Sequence, residues 1–502
     1  MMLEAQSSDP TASDHPLLFE IGSAGSCAVS LPDSDVPPVN RAAVIPPELL
    51  ADGPPPLPEI GELDLVRHYT TLAHRLFSID GQFYPLGSCT MKYNPRVNEQ
   101  AVALSGVNDL HPGQPESDVQ GLLELLYRLR IDLAEIAGLA EVTLQPAAGA
   151  HGEMTGLLII NAYHRDRGQN RTKVLTPDSA HGTNPATCAM CGKQLVTVRS
   201  RPDGRIDLDA LRRAVDDDTA ALMITNPNTV GKFDDQIAEV AEIVHAAGAQ
   251  LYLDGANMNA ILGITRPGEF GVDVMHYNTH KTFGTPHGCG GPGAGPVAVA
   301  EHLRPFLPGP QIVRRDDGTF GWDHHRPKSI GKVRSFYGQT GVLVRAYAYI
   351  RALGHDGLRN VAEKAVLAAN YVAARIRHRY PIPFPPPFAH EFITVPDFEE
   401  LGIREVDFAK RLLDYGFHPP TMSWPLHHCL MIEPTETESK RTLDRFCDAL
   451  LAMADEAHRD PETLHSAPHT MPIGRLDEVT ANRKPIVCWK RGTQNQELRT
   501  KN

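Results

Sequence analysis

Apolar positions along the chain fall into two periodicities. From Asp118 onward, Leu122, Leu126, Leu129, Leu133 and Ile136 recur at steps of four and three, and Gly138 follows as a stop. That is one face of an amphipathic helix. Beyond it come short apolar runs of strand length at 142–144, 173–175, 195–198, 221–225, 250–253, 272–275 and 296–299. Helical stretches separate several of them. The clearest is 234–247, with Asp234 as N-cap, Ile237, Val240, Ala241 and Val244 on one face, and Gly248 just past the end. Strands alternating with helices predict an α/β fold, a mostly parallel sheet covered on both faces, with ligands beyond the carboxyl ends of the strands.

The pattern changes at both ends of this block. Residues 1–90 are Pro-rich and weakly periodic, and they predict an extended arm laid over a body or a partner. Leu17, Leu18, Phe19, Ile45, Leu49 and Leu50 recur through that arm and favour it over a disordered tail. Residues 91–340 form the large domain. A long helical stretch from Thr340 to about Tyr380 opens a smaller α+β domain, 341–460, with strands at 392–395 and 429–433 and helices at 406–415 and 438–458. Residues 461–502 read as a polar tail.

Composition narrows the class. The 502 residues carry 48 Lys and Arg against 61 Asp and Glu, a formal net charge of −13. An acidic chain is a poor general nucleic-acid binder. No apolar run approaches the roughly 18 residues of a membrane span. Eight irregularly spaced cysteines make no disulfide framework, and the acidic start lacks a secretory or transit pattern. A cytoplasmic enzyme is expected.

Three segments carry candidate chemistry. In LDGANMNA, Asp254 ends an apolar strand. In HKTFGTPHGCGGPGAG, Lys281 follows a strand and precedes a loop with six glycines between Gly284 and Gly295. In QPAAGAHGE, small residues lead from a strand into a helix, so that Ala148, Gly149 and Ala150 present backbone N–H groups as a phosphate seat. A carboxylate can pair with a protonated ring nitrogen, and a Lys beside His280 and glycines can lose its charge and become a nucleophile. Seat, carboxylate and amine together suit pyridoxal 5′-phosphate. His151, at the helix start, is placed to stack on its ring.

Six segments in order then resemble one family: FYPLGSCTMKYNPRVNE, QPAAGAHGE, SAHGTNPAT, LDGANMNA, HKTFGTPHG and MIEPTETESK are similar to the P-protein of the glycine cleavage system, glycine dehydrogenase (decarboxylating). Length, the SLPDSDVPP arm and the APHTMPIGRLDEV tail resemble the second subunit of its two-subunit bacterial form. The likeness runs from about Leu17 to Trp489.

The resemblance implies fold type I of pyridoxal-phosphate enzymes, aspartate aminotransferase-like. It implies Lys281 as the Schiff-base lysine, Asp254 at the pyridine nitrogen and His151 on the ring. Ala148, Gly149 and Ala150 would sit at the phosphate, with Thr183, Ala256 and Asn257 near the cofactor. Glycine would lose CO2 and its aminomethyl carbon would attack the lipoyl disulfide of the H-protein, with His280 and His287 as candidates for moving protons. Ser88, Thr90 and Lys92 would line the mouth and meet the substrate carboxylate. Subunit 1 and lipoylated H-protein are the implied partners, in an α2β2 assembly. A paralogue with another small amino acid or acceptor is the alternative, and a regulatory subunit that has kept the fold is a third.

Some positions depart from the family. Cys188, Cys191 and Cys289 stand where small residues are usual, Thr279 where an apolar one is common, and His427, His428 and Cys429 in a stretch normally apolar or small. Buried cysteines as small hydrophobes are the favoured reading. A zinc site at Cys188-x-x-Cys191 and a redox switch are the sharper alternatives. No metal is assigned.

Overall fold

The computed structural model describes residues 16–288, 293–485 and 487. Cys289 and the end of the tail, including Trp489, lie outside them. The chain divides into two compact units, Ser78–Gly474 and a smaller one built from Met1–Phe77 with Arg475–Asn502. In the smaller unit a helix spans Glu62–His74, and Leu63, Val66 and Tyr69 on it are exposed.

In the larger unit, helix α1 (Gln120–Ala137) ends at Gly138, whose φ of 66° closes the last turn as the sequence predicted. Its Leu122, Leu126, Leu129 and Leu133 are buried. Seven strands follow: β1 (Glu141–Thr143), β2 (Lys173–Pro177), β3 (Gln194–Val198), β4 (Thr219–Thr225), β5 (Gln250–Gly255), β6 (Val274–Tyr277) and β7 (Val297–Val299). They form one sheet in the order β1-β7-β6-β5-β4-β2-β3. Only β7 runs against its neighbours, so the sheet is mostly parallel, as expected.

Alternation along the strands explains why both faces are covered. Leu222, Ile224, Leu251 and Leu253 join the core under α1 and α4 (Ile237–Ala246). Ala221, Met223, Tyr252 and Val274 join a second core with α2 (Gly149–Asp166) and α3 (Thr183–Met190). Helix α4 starts three residues later than its sequence suggests. Asp234 is buried and accepts N–H bonds from Ile206 and Gln236, tying a neighbouring loop instead of capping at its own position. The strands β8 (Gln311–Arg314) and β9 (Phe320–Asp323) add a hairpin.

Helix α5 (Thr340–Ile376) is bent at Gly354, which has φ 61° and ψ −171°. Its second half packs on a three-stranded sheet of β10 (Phe392–Thr394), β12 (Leu430–Ile432) and β11 (Thr421–Met422), with helices α6 (Glu405–Asp414) and α7 (Lys440–Arg459). Among the described residues no helix is long and apolar enough to cross a membrane.

One close approach sets the site. Gly156 of α2 lies against the ring of Tyr252, with Val274 Cγ1 3.0 Å from where a Cβ would stand. The Tyr252 hydroxyl meets His276 Nδ1 at 2.7 Å. A methyl at position 156 therefore presses on the residue that orients a site histidine. Gly156→Ala is expected to destabilise the chain by about 1–3 kcal/mol, read as a lower denaturant midpoint.

Candidate functional site

Register brings the polar groups together. Asp254 pairs with His276 across β5 and β6, at the carboxyl ends of both strands. His276 Nε2 lies 3.4 Å from Asp254 Oδ1, which also accepts the Ala256 N–H at 3.0 Å, and Asn184 Nδ2 donates to Oδ2 at 3.2 Å. Burial works against the Asp254 charge, but His276, Lys281 and these hydrogen bonds outweigh it and hold the carboxyl below its usual range. An ionised, buried carboxylate is the partner a protonated ring nitrogen needs.

Lys281 lies in a single helical turn, Thr279–Thr282, directly after β6, and is 7% exposed. Among the described residues its amine has no hydrogen bond or ion pair. Its charge nevertheless reaches Cys89, His181, His276, His280, His287, His390, Glu391 and Glu433. His280 and His287 stand edge to face, with ring centroids 4.7 Å apart. Burial, then Lys281, lowers both, and His280 falls to about 3, so it is neutral.

The small-residue turn is built for close contact. Ala148 caps α2 with no side-chain hydrogen bond, so the first N–H groups of an 18-residue helix face outward at Gly149 and Ala150. A Cβ on Gly149 would collide with Asn278 Oδ1, a buried acceptor that has no partner of its own. His151 Nδ1 accepts the Ala147 N–H at 3.1 Å, which fixes its ring beside this turn. Thr183 donates to Glu153 at 2.6 Å, and Asn257 Nδ2 donates to the Pro227 carbonyl at 2.8 Å. Anion seat, ionised carboxylate, flat imidazole and unpaired amine fit pyridoxal phosphate in donor type and charge.

The loop at Ser88–Lys92 is pinned rather than open. Ser88 and Thr90 take φ of 63° and 50°, a strained region for residues other than glycine. Their N–H groups donate to Glu391 Oε2 at 2.6 Å and Glu433 Oε2 at 3.0 Å. Lys92 Nζ donates to Glu436 at 2.6 Å, the Thr282 carbonyl at 2.8 Å and Tyr349 at 3.2 Å. Burial opposes its charge, yet Glu436 and Tyr349 keep it protonated. These donors of Ser88 and Thr90, and all of those of Lys92, are thus engaged with the protein and lock the loop to the turn that carries Lys281.

Sequence reasoning passed over Glu153, His276, His390, Glu391 and Glu433. Glu153 is raised to about 7 by burial and by Asp254. The available signal was the one used for Asp254, a carboxylate ending an apolar strand, which Glu433 repeats after β12.

Of the departures, Thr279 opens the turn that carries Lys281, while Cys188, Cys191, His428 and Cys429 make their contacts elsewhere. Cys188 is buried against Met223, with Sγ–Sδ 3.8 Å, and burial pushes its thiol up to about 12; Cys191 is raised in the same way. Cys429 donates to the Trp424 carbonyl, and His428 pairs with Glu405 at 3.0 Å. Among the described residues, the groups of three with metal-ligand types are Glu153–Asp254–His276 and His390–Glu391–Glu433, and neither includes a cysteine.

Residues 92–319 match the model of the glycine cleavage system P-protein, and 361–469 that of the glycine dehydrogenase C-terminal domain. The chain is 53% identical to a probable glycine dehydrogenase (decarboxylating) subunit 2 of Bacillus licheniformis, over 95% of this chain and 99% of the relative. A crystal structure of glycine decarboxylase (P-protein) in inhibitor-bound form superposes with a TM-score of 0.69 at 25% identity, covering 81% of this chain and 93% of the other. A cysteine desulfurase from Thermococcus onnurineus shares the fold, with a TM-score of 0.58 at 15% identity over 74% and 95% of the two chains.

The side chains of Lys92 and Glu436 are 1% and 6% exposed. Glu436→Gln strands a buried ammonium and is expected to cost about 3–5 kcal/mol. Chemical denaturation of the single variant and of Lys92→Met/Glu436→Leu should show the double change as the milder one.

Proposed function

The chain belongs to the family of the glycine cleavage system P-protein, and on that footing we propose that it decarboxylates glycine with pyridoxal 5′-phosphate. It passes the aminomethyl group to the lipoyl disulfide of the H-protein, as one of two unlike subunits in an α2β2 assembly. The observation that carries this reading is Asp254 at the end of β5 and Lys281 in the turn after its neighbour β6, with Asn278 of that segment against Gly149 at the uncapped start of α2.

When bound, the cofactor supplies an electron sink for the carbon that loses CO2. Asp254, ionised and fixed by Ala256 and Asn184, holds a proton on the ring nitrogen. The N–H groups of Gly149 and Ala150, next to Ala148, bind the phosphate, helped by the positive end of the helix. The His151 ring, oriented through Nδ1, would stack on the cofactor ring. Thr183, Ala256 and Asn257 fix the surrounding loops. Lys281 is the amine that holds the cofactor and yields to glycine.

His280 and His287 are neutral and offer imidazole nitrogens for moving protons; Nδ1 of His280 is buried without a partner. In the transfer a carbon–carbon bond and the S–S bond break, a C–S bond forms, and the freed thiolate takes a proton. Lys92 acts through the loop it anchors, which places Ser88 and Thr90 at the mouth.

Release of labelled CO2 from carboxyl-labelled glycine tests the reading. The chain is assayed alone, with the other subunit, and with both the other subunit and lipoylated H-protein. Release is expected in the full mixture, and none from Lys281→Ala, whose far-ultraviolet dichroism should be unchanged. Cofactor bound without release from glycine would instead favour another amino acid. For Asp254→Asn, release is expected to fall on the order of a hundredfold or more while cofactor affinity changes far less.

A further inference from the structure

Glu153 is 3% exposed and has no cationic partner among the described residues, and the mechanism above gives it no work. Its direction follows from the packing of α2. A Cβ on Gly152 would stand 3.0 Å from the His276 Cβ and 2.8 Å from the Gly295 carbonyl oxygen, and one turn on, Gly156 lies against Tyr252. These glycines press one face of α2 onto β5 and β6, and Glu153 turns instead toward α3. There Thr183 and Asn184 open the helix and Thr187 follows one turn on. Thr183 Oγ1 donates to Glu153 Oε1 at 2.6 Å, and Asn184 Nδ2 and Thr187 Oγ1 donate to Oε2 at 2.8 and 3.2 Å.

The side-chain nitrogen of Asn184 serves two carboxylates. It donates to Glu153 at 2.8 Å and to Asp254 Oδ2 at 3.2 Å, which uses both of its hydrogens, while Asn184 Oδ1 is buried with no partner. Turning the amide over would set Oδ1 against two carboxylate oxygens, so the acceptors fix its direction. The bond to Glu153 is the shorter of the two. A simple tie between α2 and α3 would be satisfied by the same three donors, yet it would not need the amide to reach Asp254. That reach matters chemically, because a carboxylate that accepts N–H bonds is a weaker base. Held by Asn184 and by the Ala256 N–H, Asp254 leaves a shared proton on its partner; deprived of one donor, it draws that proton toward itself.

We propose that Glu153 is a positioning residue for the cofactor's ring nitrogen: it aims the Asn184 amide at Asp254, and through that amide keeps the shared proton on the ring. Without the amide, the proton passes to an Asp254 oxygen and its bonding pair stays on the ring nitrogen; no electrons change hands. What Glu153 supplies is an acceptor in the right place. In Glu153→Gln the side-chain oxygen can take Asn184 and Thr187, and the new amide can donate to the Thr183 hydroxyl, whose own hydrogen turns to His181 Nδ1 at 2.9 Å. This rests on Asp254 lying at the ring nitrogen, as in the function proposed above.

The full chain loaded with pyridoxal 5′-phosphate carrying nitrogen-15 in its ring, read by solid-state NMR at neutral pH, tests this without turnover. The ring resonance reports whether that nitrogen holds a proton. Glu153→Leu and Asn184→Ala are expected to move it toward the unprotonated value, and Glu153→Gln to leave it at the wild-type position. Asn184→Ala leaves Glu153 its two threonine donors and decides the matter if Glu153→Leu does not fold. The double variant Glu153→Leu/Asn184→Ala should move the resonance no further than Asn184→Ala alone, since Glu153 acts through Asn184. An unmoved resonance in a folded Glu153→Leu chain or in Asn184→Ala overturns the proposal. So does a shift in Glu153→Gln as large as in Glu153→Leu, which would make charge and not aim the working feature. Asp254→Ala should move the resonance at least as far as any of these; an unmoved one there removes both the proposal and the ring-nitrogen partner it rests on. Failure of CO2 release from glycine, with the resonances as expected, would leave the positioning role standing and remove only the substrate assignment.

Discussion

One buried amine governs the arrangement. Lys281 has almost no water to solvate it, so its charge must be met by the protein, and nearly every titratable group nearby responds to it. Asp254 answers on one side, fixed in ionised form by His276, Asn184 and the Ala256 N–H. Glu391 and Glu433 lie on another, both raised chiefly by burial, with Lys281 opposing the rise. Isolated, such groups would be costly to bury. Together they surround the amine with groups that answer its charge.

The scaffold explains how this is held. Parallel strands β5 and β6 end side by side, which places Asp254 and His276 in register, with Lys281 in the turn that follows β6. Gly156 lets α2 approach Tyr252, whose hydroxyl fixes His276. The three-stranded sheet brings His390, Glu391 and Glu433 together, and the loop at Ser88–Lys92 bonds to Glu391, Glu433 and the Thr282 carbonyl. Gly87 is required there, since a Cβ would strike Met431, with its carbonyl oxygen 2.7 Å away. The strained dihedrals of Ser88 and Thr90, worth roughly 1–3 kcal/mol each, are offset by charge-assisted bonds to buried carboxylates.

The sheet was legible because its strands alternate cleanly between two apolar faces, and α1 because its leucines keep the helical step to Gly138. The start of α4 was not: Asp234 looks like a cap in sequence, but a buried carboxylate takes whatever N–H groups the fold supplies, and here one comes from Ile206. Asp254 and Lys281 stood out because charge at a strand end interrupts an apolar run. Glu433 has the same signature, yet its partners lie more than three hundred residues away along the chain, at Thr90, where periodicity carries no information. Lys92 gives no such signal either, since its partner Glu436 lies more than three hundred residues away along the chain.

The account stands or falls on Lys281 as the amine that holds the cofactor. The chain incubated with pyridoxal phosphate, reduced with borohydride, digested and sequenced by mass spectrometry tests this most directly. A single pyridoxyl adduct on the peptide containing Lys281, lost in Lys281→Ala, is the predicted result. An adduct on another lysine, or none in the folded chain, would contradict it.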